Sequence, residues 1–423
     1  MKYYLVGIKG TGMTSLACLL KDSGHFVVGS DVDDEFFTDE ILKKKKIEVL
    51  SFSNKNITPE YTYIIGNAFD EKCEEVAKII LNDFEYYYYH DFIGKILDKN
   101  LICIAGTHGK TTTSYLLSQM LNKNSSYIIG DGSGYGTNVT HYLVLEACEY
   151  KDHFLSYSSL IALITNIELD HPDYFKNIKQ VISSFQKFSN KSKTLIVNGD
   201  DVNARKLRHK NKISFGFEDY NDYIIKIVKE KNNGYDILLL EKRTNKKYKY
   251  FIPFLGKHMI YDYIGGVIVC IILGIMPYTN NLELPKRRLK SYEYGNTILI
   301  DDYAHHPTEI RSLYETLHLS YPNTKIKVIF QPHTYTRTLE FCEGFNKALS
   351  LFDDVYIEKV FTSAREPYNE NLEEEVIKCF SNYKRFNVDV LKNVKKERKE
   401  VLVFLGAGRI NKYIKQIINE KEV

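Results

Sequence analysis

The sequence predicts an α/β protein of more than one domain, and three observations carry that expectation. At 423 residues the chain is too long to close over a single compact core. Between residues 3 and 82 strand-like and helix-like segments alternate, the pattern of a doubly wound parallel sheet. A second strand, glycine turn and helix then begin at Leu101.

In order, residues 3–6 read as a strand, followed by the turn Gly7-Ile8-Lys9-Gly10-Thr11-Gly12, a helix over 13–23 and a strand over 25–29 ending at Ser30-Asp31. Another strand at 63–66 precedes a polar helix near 70–82. The strand at 101–104 turns at 105–109 into a helix reaching about Leu121, and buried strands follow at 141–146, 160–165 and 194–198. Residues 219–250 alternate apolar and polar side chains, as an antiparallel excursion does. The apolar run 264–276 is shorter than the ~18–20 residues that span a bilayer and contains Gly265, Gly266 and Gly274. It reads as a buried core helix. A third unit starts after Pro285, with strands at 297–300, 327–330, 354–357 and 401–405.

Charged residues at 26%, hydrophobic residues at 44% and a formal charge of +3 are ordinary for a globular enzyme and single out neither nucleic acid nor an anionic membrane as partner. The seven cysteines are scattered and form no C-x-x-C. Neither a disulfide framework nor a structural zinc site is expected, and a reducing cytoplasm fits. No signal peptide is visible at the N-terminus. The runs at 43–46, 86–89 and 392–399 read as solvated faces or compositional bias.

The most informative segment is Ala105-Gly106-Thr107-His108-Gly109-Lys110-Thr111-Thr112-Thr113, between a strand and a helix. Glycines let backbone N–H groups turn toward phosphate oxygens, and the helix N-terminus adds its partial positive charge. Lys110 supplies a point charge, and the Thr111 hydroxyl suits Mg²⁺. Carboxylate and imidazole partners for a metal stand at two strand ends, Glu146-Ala147-Cys148-Glu149 and Asn166-Ile167-Glu168-Leu169-Asp170-His171. The turn at 7–12 can receive a diphosphate, and Asp31 lies where a ribose-binding acid is expected. A dinucleotide and a nucleotide sugar both fit that pair. In the third unit, Asp301-Asp302-Tyr303-Ala304-His305-His306-Pro307-Thr308-Glu309 and Gln331-Pro332-His333-Thr334-Tyr335-Thr336-Arg337-Thr338 follow strands directly. Such polar clusters at strand ends build sites more often than cores. An arginine there can fork onto a small carboxylate. Lys286-Arg287-Arg288 reads as a hinge able to reach a phosphate.

Taken together, these segments, with Leu405-Gly406-Ala407-Gly408, resemble the Mur ligase family along nearly the whole chain. The two patches of the third unit resemble its alanine-adding branch in particular. The resemblance implies a Rossmann-like nucleotide-sugar domain (1–98), a central P-loop ATPase-like α/β domain (99–285) and a C-terminal Rossmann-like amino-acid domain (286–423). It implies that ATP, with two Mg²⁺ ions, drives the joining of UDP-N-acetylmuramate to L-alanine in a cytoplasmic monomer or weak homodimer.

Residue by residue, the resemblance implies ATP contacts at Gly106, Thr107, His108, Gly109, Lys110, Thr111, Thr112, Asp262, Arg288 and Asp302. Thr111, Glu146 and His171 would hold metal, and Lys110, Glu146, His171 and Arg337 would be catalytic. The nucleotide sugar would meet Gly10, Thr11, Gly12, Met13, Asp31, Asn138 and Asn166. The amino acid would meet Tyr303, His305, His333 and Arg337. Three positions depart from the family pattern: His258-Met259-Ile260-Tyr261-Asp262 lacks both asparagines of an adenine contact, Leu289 replaces a phenylalanine, and Thr334 replaces a basic or polar residue. A recycling ligase that attaches a preformed peptide, a nicotinamide-dependent oxidoreductase built on residues 7–12 with Asp31, and a non-catalytic nucleotide-binding regulator are the competing readings.

Overall fold

The computed structural model describes residues 1–97, 100–137, 141–362, 366–394 and 399–419. Three sheets follow one another along the chain. The first has five parallel strands in the order Glu48–Ser51, Phe26–Asp31, Lys2–Val6, Thr62–Ile65, Tyr86–Tyr88. Chain order reverses across Lys2–Val6, which makes the end of that strand a topological switch point. The predicted polar helix is shorter than its sequence pattern, spanning only Glu74–Leu81. Its expected first turn is unwound because Asp70 accepts from Lys72 N with its side chain and from Cys73 N with its carbonyl, the local competition that keeps Asp out of helix interiors.

The second sheet centres on the parallel strands Ser125–Ile128, Tyr142–Glu146, Leu101–Ala105, Ser159–Ile164, Ser192–Asn198 and Lys212–Gly216. The predicted excursion appears as Tyr223–Lys231, Gly234–Glu241 and Lys246–Ile252, paired antiparallel. The apolar run lies in the helix Lys257–Leu273, buried along most of its length. Gly266 lets it approach the helix Lys110–Met120, since a Cβ there would sit 3.1 Å from Met120 Sδ. Among the described residues, no helix is long and apolar enough to cross a membrane.

The third sheet runs Lys290–Tyr294, Thr297–Asp302, Glu400–Leu405, Lys325–Phe330, Asp354–Ile357, Lys384–Arg385, parallel except at its first strand. Two expectations change here. Cys342 and Cys379, 37 positions apart, are joined as a disulfide; spacing along the chain carries no information on that proximity. Of the basic pair expected at a hinge, Arg287 is a structural clamp. It is 8% exposed, pairs through Nε with Asp301 Oδ1 at 3.2 Å, and donates to Gly408 O at 2.8 Å and Gly406 O at 2.7 Å.

Truncating Arg287 leaves a buried carboxylate and two carbonyls without their donor. Arg287→Ala is therefore expected to destabilise the C-terminal sheet by about 3–5 kcal/mol, seen as an earlier thermal transition by calorimetry. A melt superimposable on that of the unsubstituted protein would remove the clamp.

Candidate active site

The strand Leu101–Ala105 runs into Gly106, at φ 143°, and Gly109, at φ 80°, immediately precedes the helix Lys110–Met120. Side chains are excluded at both: a Cβ on Gly106 would collide with Thr165 Oγ1, and one on Gly109 with Asp262 Oδ1. The loop between them is held by the segment after Ser159–Ile164. Thr107 N donates to Asn166 O at 3.1 Å, and Glu168 N donates to Thr107 Oγ1 at 2.8 Å. Asn166 clasps His108 from both sides, accepting from His108 N at 2.9 Å and donating to His108 O at 3.0 Å. Free N–H groups at a rigid helix N-terminus form an anion site.

Lys110 Nζ donates to Gly106 O, to Thr107 O at 3.0 Å and to Glu149 at 3.2 Å. Burial alone would lower its pKa; the Glu149 charge outweighs that and raises it. Thr111 Oγ1 donates to Glu146 Oε1 at 2.9 Å, and Gly130 N donates to Glu146 Oε2 at 2.6 Å. Burial pushes the Glu146 carboxyl up. His171 has a φ of 52° and lies against Tyr150 with ring centroids 4.7 Å apart. Burial lowers its pKa, and the Lys110 and Glu149 charges both act on it. Lys110 acts on Glu146 as well, so three of the four residues expected to be catalytic, Lys110, Glu146 and His171, share one cluster. The Thr111 hydroxyl and the Glu146 carboxylate are oxygen donors that fit Mg²⁺, with water completing its shell.

A cleft between the central and C-terminal units is lined by His108, Gly109, Thr112 and Asp262 on one side and by Arg288 and Asp302 on the other, with Phe215, Met259 and Leu289 as apolar walls. Asp262 turns one oxygen to Thr113 Oγ1 at 3.0 Å, and burial raises its pKa to about 7. It therefore backs the phosphate loop as well as facing the cleft. Asp302 accepts from Ala304 N at 2.9 Å and Leu289 N at 2.8 Å, and burial raises it to about 6. Arg288 lies 5.6 Å from the Tyr303 ring centre and 3.6 Å from Glu309 Oε1.

The two C-terminal patches meet at the same place. The His305 and His333 rings are 5.7 Å apart, and Arg337 Nη1 is 3.1 Å from His333 Nδ1. Arg337 is expected to hold a substrate carboxylate, yet its Nε and Nη2 are already taken by Asp170 of the central unit, at 2.9 and 3.2 Å. Arg287, Leu289 and Thr334 join His171 as non-glycine residues at positive φ, 57°, 49° and 65°, a concentration of local strain typical of functional sites.

The residues expected to meet the nucleotide sugar are placed as follows. Asp31 accepts from Lys9 N and Val32 N at 2.7 and 2.8 Å and so braces the turn at 7–12, with a lone pair left on each oxygen. Met13 buries its side chain in the core, leaving its backbone amide for a ligand. Asn166 serves the phosphate loop and lines the nucleotide cleft. Asn138 lies outside the described residues. Gly10, Thr11 and Gly12 do form the turn into the helix Thr11–Asp22, and Gly12 has no room for a Cβ, which would sit 2.9 Å from Tyr89 Oη.

Glu149, Glu168, Asp170, His306 and Glu309 received no role from the sequence. Each belongs to a motif already singled out, which was the available signal. Contacts that bridge the central and C-terminal units include Arg337 with Asp170, Thr308 Oγ1 donating to Glu168 at 2.7 Å, His108 Nδ1 3.6 Å from Glu309 and the His108 and His306 rings, 4.5 Å apart.

Three successive α/β units meeting at a phosphate loop define a nucleotide-dependent enzyme whose substrates converge from separate domains. The chain belongs to the Mur ligase family, ATP-dependent amide ligases. Residues 2–100 match "Mur ligase family, catalytic domain", 134–270 match "Mur ligase middle domain" and 287–408 match "Mur ligase, glutamate ligase domain". Solved structures agree in architecture. UDP-N-acetylmuramate-alanine ligase of Thermotoga maritima is 23% identical with a TM-score of 0.81, covering 100% of this chain and 99% of that one. A murein peptide ligase of Psychrobacter arcticus is 17% identical with a TM-score of 0.74, over 99% and 98%. The MurF ligase of Thermotoga maritima, solved with ADP, is 18% identical with a TM-score of 0.63, over 96% and 97%.

Burial alone would lower the His108 pKa, but Glu168 and Glu309 outweigh it and hold it at about 9 against an ordinary 6.5. This stabilisation is complete below pH 6.5 and is lost as pH rises through 9. Burial alone would raise Glu168, but its bond to His108 holds it at about 2 against 4.5, so its contribution is present above pH 4.5 and lost only toward pH 2. Thermal stability is expected to fall between pH 7 and 9.5 by on the order of 2–3 kcal/mol. His108→Gln should flatten the curve in that window; an unchanged slope would count against the latch.

Proposed function

We propose that the chain joins the lactyl carboxylate of UDP-N-acetylmuramate to the amine of L-alanine, with ATP converted to ADP and phosphate, in cytoplasmic synthesis of the peptidoglycan precursor. The observation that carries this reading is the convergence of the C-terminal His305, His333 and Arg337 on Asp170 and His171 beside the phosphate loop.

A carboxylate is a poor acylating agent, so the reaction starts with a carboxylate oxygen attacking the γ-phosphorus of ATP. ADP leaves and an acyl phosphate remains. The alanine amine then attacks the carbonyl carbon, loses a proton, and phosphate departs as the amide forms. Lys110 and the loop N–H groups hold phosphate charge, Arg288 approaches from the C-terminal side, and the cleft keeps the reactants aligned and water out. Thr111 and Glu146 would hold one Mg²⁺ and His171 a second, and these ions would supply charge neutralisation at the phosphate oxygens. His305 is kept neutral at about pKa 4 by burial. Its Nδ1 faces Tyr303 O at 3.0 Å and so carries the proton, leaving Nε2 as an acceptor toward the amine. The nucleotide sugar approaches over the turn at 10–12.

A second reading has a specific observation behind it. The likeness to the Psychrobacter murein peptide ligase favours a recycling enzyme that attaches a preformed peptide to the same nucleotide sugar.

Phosphate release separates the two. With ATP, Mg²⁺ and UDP-N-acetylmuramate present, L-alanine is expected to support turnover and a free tripeptide offered as the amine substrate is not; the reverse result assigns the recycling reaction, and release with neither sinks both. Lys110→Ala should lower kcat at least ~10²-fold.

A further inference from the structure

Two imidazoles and a carboxylate meet where the phosphate loop, the segment after Ser159–Ile164 and the head of the helix Pro307–Ser320 touch. One ligand atom each from His108, Glu168 and His306 lie within 4.8 Å of one another. His306 Nε2 is buried with no hydrogen-bond partner among the described residues, and His108 Nε2 is buried with only the long 3.5 Å contact to Glu168 Oε2. His306 as a whole is 5% exposed. Buried ring nitrogens ordinarily find a partner, and the proposed ligase reaction uses neither of these.

The surroundings resemble those of ligands held for a metal. His108 aims its other nitrogen, Nδ1, at Glu309 from 3.6 Å, the carboxylate–histidine arrangement that orients an imidazole on an ion. Glu168 is steadied by Thr308 Oγ1 at 2.7 Å and lies with its Oε2 3.5 Å from His108 Nε2. We propose that His108, Glu168 and His306 form a transition-metal site of the Zn²⁺ or Co²⁺ class that staples the central unit to the C-terminal unit. Two nitrogens and one oxygen favour such borderline ions over Mg²⁺, and a water completes a four-coordinate shell. The site is separate from Thr111, Glu146 and His171, and stands whichever amine the enzyme uses.

Binding rearranges protons. His108 sheds the proton it shares between Glu168 and Glu309, and the ion takes over in neutralising them. Coordination through His306 Nε2 puts the ring proton on Nδ1, which gives up the long 3.3 Å cap bond from Thr308 N. Because the ligands come from both units, the ion binds the closed arrangement alone, favours it by linkage, and slows the opening that substrate entry and product release require.

Co²⁺ titration of the full-length protein without nucleotide tests this at pH 7.5. One ion per chain is expected, with the visible absorption of low-coordinate cobalt and a higher melting temperature. Glu168→Gln and His306→Asn should each weaken binding at least tenfold, while Glu146→Gln leaves it unchanged. Asparagine at 306 still caps the helix, so a metal-free melt like that of the unsubstituted protein shows the loss is not misfolding. Absence of Co²⁺ binding, binding that survives both substitutions, or loss in Glu146→Gln alone would overturn the proposal.

Discussion

The rest of the structure depends on one constraint: backbone amides must face an anion at the head of the helix Lys110–Met120, and no side chain can stand between. Gly106 and Gly109 meet the steric part, since both lie at positive φ with a neighbour where a Cβ would be. The electrostatic part is harder. Lys110, Glu146, Glu149 and Asp262 all sit close to that loop, and burial opposes the charge on Lys110, Glu146 and Asp262. Each is retained because a specific partner offsets its desolvation. Lys110 has Glu149 and two carbonyls, Glu146 has a hydroxyl and an amide, and Asp262 has Thr113.

Topology then decides which residues can join the cluster. The strands Leu101–Ala105, Tyr142–Glu146 and Ser159–Ile164 are neighbours and parallel, so their C-terminal ends deliver the phosphate loop, Glu146 and the Asn166–His171 segment to one edge. The strands Thr297–Asp302 and Lys325–Phe330 do the same for the C-terminal patches, flanking Glu400–Leu405. A reaction with three substrates needs them held together before chemistry starts, and strand ends on facing units provide rigid supports for that.

Much of this was legible in the sequence, because strand–glycine–helix units and polar clusters after apolar strands are local patterns. The parallel cores, the antiparallel excursion and the buried helix around 264–273 all follow from periodicity and length. What escaped were competitions among partners. Asp31 and Asn166 have the chemistry to bind a sugar, but each also has an internal role, Asp31 accepting from a nearby backbone amide and Asn166 clasping His108. Adjacent arginines divide into a buried clamp at 287 and a cleft residue at 288, a difference set by backbone direction after Pro285. The pairing of Cys342 with Cys379 and the link from Asp170 to Arg337 depend on contacts across long stretches of chain, which no local pattern encodes.

That last link shapes how the two units open and close. Arg337 is 5% exposed and Asp170 is 7% exposed, and the guanidinium holds the carboxyl well below its usual range despite burial. Separating the units would strip a fork-shaped, two-point pair and leave each charge to water or to a replacement. An amino-acid carboxylate is such a replacement for Asp170, and Arg337 Nη1, next to His333, is the corner of the fork that Asp170 leaves to it. Binding at that corner adds to the clamp without dissolving it. A ligand that captured the whole fork would instead release Asp170 beside His171 and weaken the closed state. The same arginine thus ties the C-terminal patch to the central unit, and under the proposed reaction a ligand small enough to share it would couple its own binding to closure.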